Sequence, residues 1–137
     1  GLRQVKRLTG LHGRWELIHE HPDIVLDVAH NIDGIRQLVR QIELTDHEAL
    51  YIVLGMVKDK DIDAVLTLLP RQATYFFTKA QIPRALPENE LAAKAAAAGL
   101  RGHSYPGVTE ALAAAKVQAR SKDLILVCGS VFVVAEV

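Results

Sequence analysis

The chain has 137 residues, of which 50% are apolar and 23% are charged, a size and composition that suit one globular domain with its own core. Since sixteen basic side chains balance sixteen acidic ones, the zero net charge argues against a protein that holds nucleic acid or an anionic membrane electrostatically. The longest apolar runs are far shorter than the roughly 20 residues of a membrane-spanning helix, so we expect no membrane insertion.

Two short strands and an amphipathic helix are predicted first. The strands, residues 15–19 and 24–27, are joined by a short His-Pro-Asp turn, which favours a hairpin. The helix is predicted over residues 32–42, because its apolar residues repeat at helical spacing and Asn31 can serve as its N-cap. The first strand is therefore expected at an antiparallel edge of the sheet.

Strands and helices then alternate along the chain. Apolar or β-branched runs predict strands, and apolar residues at helical spacing predict helices. The predicted strands are residues 49–55, 73–78, 102–105 and 123–128. The predicted helices are residues 62–69 with Asp61 as cap, 87–99, and 109–119 with Thr109 as cap.

The final segment, VFVVAEV, has strand propensity, yet a helix is predicted there. A central parallel strand must leave its sheet through a crossover, and Ser130 is a good N-cap. The whole pattern predicts an α/β domain: a three-layer, Rossmann-like fold with a mostly parallel sheet and one antiparallel edge strand. One domain is predicted over residues 13–137, with residues 1–12 as a lead-in segment or interdomain linker.

Ligands collect at the carboxyl ends of the strands in such sheets, so the polar residues there are site candidates. Asp27 closes an apolar strand, where a carboxylate suits ribose hydroxyls or caps the next turn, two roles of about equal weight. His30 and Asn31 lie at a helix N-terminus. His30 could contact a phosphate or stack on a base, and the alternative is a surface histidine beside an N-cap.

Further basic residues and two histidines complete the candidates. Lys58 and Lys60, which alternate with aspartates, could hold a carboxylate or phosphate or could be merely solvated. Arg14 could bind a phosphate in a bidentate manner or lie free on the surface. His19 and His21 have no evident third ligand, so the sequence predicts no metal site.

Several catalytic motifs are missing from the sequence. There is no G-x-G-x-x-G after a strand, no P-loop and no G-x-S-x-G nucleophile elbow. Cys128, the single cysteine, lies in an apolar run without an apparent histidine partner and is predicted to be an inert core residue. Because no internal disulfide can form and the first residues lack the apolar core of a signal peptide, the cytoplasm is the expected compartment.

Five motifs occur in order between Gly13 and Val137. They are Gly13-Arg14-Trp15-Glu16, Asp27-Val28-Ala29-His30-Asn31, Asp59-Lys60-Asp61, Pro83-Arg84-Ala85-Leu86-Pro87 and Gly129-Ser130-Val131-Phe132. Together they resemble the C-terminal domain of the folylpolyglutamate synthase/dihydrofolate synthase family, in the Mur ligase superfamily. Three positions depart from the family pattern, since Val28 replaces a glycine and His12 and Ile32 each replace a proline.

The resemblance implies roles for particular residues. It implies that Asp27 binds the ribose of ATP, that Arg14, His30 and Asn31 contact the nucleotide, and that Ser130 lies near the glutamate carboxylate. Lys60 would help to hold the incoming glutamate or the nucleotide. His30 and Lys60 are thereby the candidate catalytic residues.

The resemblance also implies a reaction, ATP-dependent amide formation through an acyl phosphate. Folate or dihydropteroate would supply the carboxylate and L-glutamate the amine; whether the parent enzyme uses one acceptor or both stays open. Mg²⁺ and the P-loop belong to the larger N-terminal domain of the same polypeptide in this family. The isolated chain is therefore expected to be an inactive fragment of a monomeric enzyme.

Two alternatives stay open at this point. The first is the C-terminal domain of a peptidoglycan Mur ligase, which shares the architecture, although the Gly-Arg-Trp-Glu and Gly-Ser-x-Phe motifs resemble the folate branch more closely. The second is a non-enzymatic, doubly wound binding or regulatory module, which is favoured by the lack of a complete catalytic set.

Overall fold

The structure, a computed structural model, describes residues 14–58 and 61–137. The strands are β1 (Glu16–His19), β2 (Asp23–Asp27), β3 (Leu50–Leu54), β4 (Thr74–Phe77), β5 (Arg101–Ser104) and β6 (Leu124–Cys128). The helices are α1 (Ile32–Leu44), α2 (Ile62–Leu68), α3 (Glu88–Ala97), α4 (Val108–Gln118) and α5 (Val131–Ala135). None of these helices combines the length and the hydropathy needed to cross a bilayer.

One six-stranded sheet, in the order β1-β2-β6-β3-β4-β5, forms the centre of the domain. Five strands run parallel to one another, namely β2, β6, β3, β4 and β5, and β1 pairs antiparallel with β2 at the edge. The predicted fold class, a mostly parallel sheet with one antiparallel edge strand, is confirmed. The last strand, β6, lies between β2 and β3, so the crossover through α1 passes over the place that β6 occupies.

Helices cover both faces of this sheet. Helices α1, α2 and α3 pack on one face and α4 and α5 on the other, which gives three layers. Within β6, Leu124, Leu126 and Cys128 face the first group of helices, whereas Ile125 and Val127 face the second. Burial on both faces explains why the central strands are continuous apolar runs without alternation.

Two predicted caps determine where α1 and α5 begin. The Asn31 side-chain oxygen accepts a hydrogen bond from the Gly34 N–H at 2.8 Å, and the Ser130 hydroxyl oxygen accepts one from the Phe132 N–H at 2.9 Å. The helix predicted after Ser130 is therefore confirmed. In this segment the chain must leave the sheet after a central parallel strand, and this requirement overrides the local strand propensity of the valines.

Three local predictions need correction. Helix α4 begins at Val108 after Gly107, and no side chain caps it, because the deeply buried Val108 belongs to the first turn; Thr109 was the wrong cap. Asp61 occupies the N-cap position of α2 but accepts no capping hydrogen bond. Strand β1 begins at Glu16, because Trp15 has a left-handed backbone with φ of 50°.

Candidate functional site

The carboxyl ends of β2, β6 and β3 lie side by side. The chain leaves β2 and β3 for helices on one face of the sheet and leaves β6 for α5 on the other face. Such a reversal is a topological switch point, where α/β sheets open a crevice for ligands. We call residues 27–31, 55–56 and 129–130 the switch-point site. The backbone joins them, since the Gly129 N–H donates to Ala29 at 3.1 Å and the Gly55 N–H to Cys128 at 3.3 Å.

The end of β6 packs tightly beneath this site. Cys128 is fully buried, and burial, reinforced by the negative charge of Asp27, raises the pKa of its thiol well above the ordinary value. The thiol therefore stays protonated at neutral pH, as expected for a core residue. Gly129 then turns the chain with a left-handed φ of 111°, in close approach to the Gly55 carbonyl.

Asp27 is buried at the centre of the site, and both of its carboxylate oxygens accept backbone hydrogen bonds. One oxygen accepts from the Ala29 N–H at 2.9 Å and the other from the Trp15 N–H at 3.0 Å. The turn-capping contact that the sequence allowed is thus present. A carboxylate oxygen has a second lone pair, so each oxygen keeps the capacity to accept one more hydrogen bond.

Burial raises the pKa of Asp27 above its ordinary value of 3.8, because the charged form loses hydration. The backbone hydrogen bonds from Ala29 and Trp15 and the positive charge of Arg14 oppose this shift without cancelling it. Asp27 is therefore a carboxylate whose ionisation works against folding, which is characteristic of functional groups more than of purely structural ones.

This raised pKa predicts how stability depends on pH. The folded state holds the Asp27 proton more tightly than the unfolded state, so its contribution is fully present below pH 3.8 and is lost as pH rises through the raised pKa. We expect the free energy of unfolding of the native chain to fall relative to that of Asp27→Asn over this range. Urea denaturation at a series of pH values measures the difference, and a difference independent of pH would contradict the expectation.

Arg14 lies beside Asp27, close enough for its positive charge to act on the carboxylate. Its guanidinium donates to the Gln37 side-chain oxygen at 3.0 Å, which ties the entrance of β1 to α1. A cavity of about 130 Å³ lies between the entrance of β1 and helix α1, and its lining includes Arg14, Trp15, Asp27 and Gln37. Sequence reasoning missed Gln37 because nothing in the sequence signals a contact between side chains 23 residues apart.

His30 is half-buried, and its Nδ1 lies 3.1 Å from the Val28 carbonyl oxygen. A carbonyl can only accept, so Nδ1 carries a proton and the Nε2 of the neutral ring is an acceptor. The capping role of Asn31 occupies its side-chain oxygen. The structure brings both residues next to Asp27, and their contacts with a nucleotide stay predictions.

Two buried hydroxyl groups follow the central strands. The Ser130 oxygen caps α5, which leaves its hydrogen free to be donated. Thr78, after β4, is completely buried, and its hydroxyl has no hydrogen-bond partner in the part of the chain that the structure describes. The sequence places Thr78 at a strand end but assigns it no role, because an unpaired hydroxyl depends on packing.

The basic loop after β3 is only partly described. Lys60 and Asp59 lie outside the described residues, so the role predicted for Lys60 stays a prediction. Lys58 is exposed, and its N–H donates to the Arg84 carbonyl at 2.9 Å, while the Leu86 N–H donates to Met56 at 2.8 Å. These bonds bring the Pro-Arg-Ala stretch against the loop that follows β3.

The histidine pair lies far from this site, in the hairpin at the amino ends of the strands. His19 contacts a turn carbonyl at 2.8 Å, and His21 lines a cavity of about 430 Å³ together with Asp123. Among residues 14–58 and 61–137, no three His, Cys, Asp or Glu side chains are placed to hold a metal ion. The amino-end cavity is larger than that beside Asp27, but the ligand crevice of this fold forms at the opposite end.

The fold and the switch-point site define a doubly wound α/β domain of the kind that binds a small ligand at the carboxyl ends of its strands. Residues 13–131 match the family described as Mur ligase, glutamate ligase domain, and the chain belongs to that family. The family resemblance seen in the five motifs is thereby confirmed.

Two similar proteins identify the branch of the family. A dihydrofolate synthase/folylpolyglutamate synthase of Buchnera aphidicola is 33% identical over 128 residues, which are 92% of this chain and 30% of the relative. The structure of Escherichia coli FolC in complex with DHPP and ADP has a TM-score of 0.81 and 31% identity, and the match covers 90% of this chain and 30% of that one. The chain thus spans about a third of the length of these relatives.

A second kind of ligase is also similar, over a shorter segment. The UDP-N-acetylmuramoyl-L-alanyl-D-glutamate–2,6-diaminopimelate ligase of Wolinella succinogenes is 36% identical over 56 residues, 41% of this chain and 12% of that protein. The match to the folate enzyme extends over more than twice as much of the chain. The folate branch is therefore the better supported of the two.

Proposed function

We propose that this chain is the C-terminal domain of an ATP-dependent amide ligase that adds glutamate to dihydropteroate, to folates or to both. The observation that carries the proposal is the placement of Asp27, His30 and Ser130 at one switch point in a chain of the glutamate ligase domain family. Because the chain spans 30% of the length of its folate relatives, it supplies one part of the active site.

The first proposed role of this domain is to hold the nucleotide. The remaining lone pairs of Asp27 accept the ribose hydroxyls, and the guanidinium of Arg14, held by Gln37, contacts the phosphates. The ADP bound to the Escherichia coli enzyme supports a nucleotide ligand. The cavity beside Asp27, at about 130 Å³, is smaller than an ordinary ligand pocket of roughly 300 to 1,000 Å³, so it takes only part of a nucleotide.

The second proposed role concerns the amide-forming step. The acceptor carboxylate attacks the γ-phosphate, which releases ADP and leaves an acyl phosphate; the neutral glutamate amine then attacks the acyl carbon, and phosphate and one amine proton are released. Ser130 donates its free hydroxyl hydrogen to the glutamate carboxylate, and Lys60 holds the glutamate or the nucleotide. His30, with Nε2 as acceptor, orients the reacting groups at this point.

The phosphoryl-transfer machinery is proposed to lie outside this domain. Mg²⁺ would neutralise phosphate charge when bound, and among the described residues no three His, Cys, Asp or Glu side chains are grouped to hold a metal ion. The P-loop and the metal ligands belong to the preceding part of the longer polypeptide. We place the enzyme in the cytoplasm, in keeping with the free, buried Cys128 of this chain.

The test is ligase turnover by the longer parent polypeptide, with dihydropteroate and tetrahydrofolate as separate acceptors. We expect steady-state ADP production that requires both glutamate and an acceptor, and none from the 137-residue chain alone. His30→Ala should lower kcat by at least about tenfold, the effect of one hydrogen bond of about 1.5 kcal/mol to a charged group.

A second histidine provides a matched control. His47 is half-buried like His30, and its Nδ1 also contacts the carbonyl two residues earlier, that of Thr45, but it lines the cavity at the opposite end of the sheet. His47→Ala should leave turnover unchanged. Equal losses of kcat in the two variants would show that His30 has no special role in the reaction. Turnover only with a peptidoglycan precursor would show that the enzyme is a peptidoglycan Mur ligase.

A further inference from the structure

Helix α1 presents two glutamines to the cavity beside Asp27. Gln37 and Gln41 lie one turn apart, and both line this cavity. Ile35 and Ile42 of the same helix are buried in the core, and the helix begins at a side-chain cap. The backbone that carries the two glutamines is therefore fixed against the sheet.

The contact with Arg14 determines which end of the Gln37 amide is free. A guanidinium group only donates hydrogen bonds, so the amide atom that faces it at 3.0 Å is the oxygen. The NH₂ group of the same amide keeps both of its N–H donors. Among residues 14–58 and 61–137, no group accepts a hydrogen bond from it. Gln37 thus offers free donors directly beside Arg14.

The lining of the cavity divides into one acceptor and a pair of donors. Asp27 is the acceptor, and its remaining lone pairs suit hydroxyl groups. Arg14 and Gln37 are the donors, and their N–H groups suit an anion. A ligand that carries hydroxyl groups close to an anionic group, as a ribose phosphate does, therefore matches this lining.

The charges of the cavity explain why a phosphate here needs a donor besides Arg14. The positive charge of Arg14 already acts on Asp27 and lowers the pKa of its carboxyl group, against the larger effect of burial. The other lining residues are uncharged, so the charges of Arg14 and Asp27 offset one another. A neutral amide donor adds a hydrogen bond to the phosphate without changing that balance.

We infer that Gln37 is a direct ligand of the phosphate attached to the ribose, donating an amide N–H to a phosphate oxygen while its own oxygen holds Arg14. This inference rests on the proposed nucleotide site and deepens it, because Gln37 lies outside the five motifs. The phosphate nearest the ribose is the one concerned, since a cavity of about 130 Å³ takes only part of a nucleotide and Asp27 holds the hydroxyls.

The affinities of the longer polypeptide for adenosine, AMP and ADP, measured by displacement of a fluorescent ADP analogue, test this contact. Gln37→Met keeps the length of the side chain and removes the N–H donors. It should weaken AMP and ADP binding by the same factor, at least about tenfold, and leave adenosine affinity unchanged. Gln41→Met changes the same cavity without touching Arg14 and should leave all three affinities unchanged. Native AMP affinity in Gln37→Met would overturn the inference.

Gln37→Glu separates a direct contact from an effect through Arg14. A glutamate keeps the oxygen that accepts from Arg14 but replaces the N–H donors by a second oxygen, which repels phosphate. It should weaken AMP binding at least as much as Gln37→Met does. Gln41→Glu adds the same charge one turn away and should weaken AMP binding by less than about twofold, because solvent and salt screen it. Native AMP affinity in Gln37→Glu would show that Gln37 only holds Arg14, which contradicts a direct contact.

Asp27→Ala distinguishes a failure of this inference from a failure of the nucleotide site. It should weaken the binding of adenosine, AMP and ADP alike, because all three carry the ribose hydroxyls. If it does so while Gln37→Met binds AMP normally, the Gln37 contact is wrong and the nucleotide site stands. If Gln37→Met and Gln37→Glu weaken AMP binding and Asp27→Ala does not, the phosphate contact stands and the ribose contact is wrong.

Discussion

Replacing Gly129 by alanine is expected to lower the free energy of unfolding by about 3 to 5 kcal/mol, which sums a strained backbone with overpacking of the core. Gly129 has a φ of 111°, and a Cβ built on it would lie 2.1 Å from the Gly55 carbonyl oxygen. That oxygen is backbone at the end of β3, so it cannot move without disturbing the pairing with β6. Urea denaturation followed by the fluorescence of Trp15 measures the loss.

Gly99 provides the matched control for this prediction. It has a φ of 87°, also in the left-handed region, but its added Cβ would meet only the Arg71 side chain, at 3.4 Å. Gly99→Ala should therefore cost only the backbone strain, about 1 to 2 kcal/mol. Equal losses of unfolding free energy in the two variants would show that the close approach of Gly129 to Gly55 adds nothing to the cost of a side chain at Gly129.

Asp27→Ala is expected to weaken ADP binding by the longer polypeptide at least about tenfold, since a hydrogen bond to a charged group contributes about 1.5 to 3 kcal/mol. The same change leaves the N–H groups of Ala29 and Trp15 without their acceptor. Stability must therefore fall together with affinity. Isothermal titration calorimetry measures the affinity, and denaturation of the same variant measures the stability.

Asp123 separates these two effects, because it is built like Asp27 at the opposite end of the sheet. It is equally buried, and its carboxylate accepts hydrogen bonds from the Ala49 N–H at 2.9 Å and the Arg120 N–H at 2.7 Å. Asp123→Ala should likewise lower stability but leave ADP affinity intact. If both variants bind ADP equally well, Asp27 has only a structural role.

The fold follows from features that are local in the sequence. Continuous apolar runs, helical spacing and the crossover rule predicted the elements and even the helix after Ser130, where residue propensity alone would give a strand. The start of α4 was misplaced because packing of Val108 against the sheet, a tertiary contact, decides where that helix begins. The position of β6 between β2 and β3 is likewise set by packing.

The contacts of the candidate site also fall into two groups, those that the sequence could indicate and those that depend on tertiary packing. The capping contact of Asn31 and the turn contact of Asp27 join residues two or three apart, so the sequence could indicate both. The Arg14 bond to Gln37 and the unpaired hydroxyl of Thr78 depend on how separate elements pack, so the sequence carries no signal for them.

A crystal structure of the longer polypeptide with a non-hydrolysable ATP analogue tests the central claim most directly. It should show a ribose hydroxyl within about 3 Å of the Asp27 carboxylate. Asp27 should still accept from the Ala29 and Trp15 N–H groups, as it does in the present structure. A ribose bound away from residues 27–31, with Asp27 engaged only by its backbone partners, would contradict the nucleotide site.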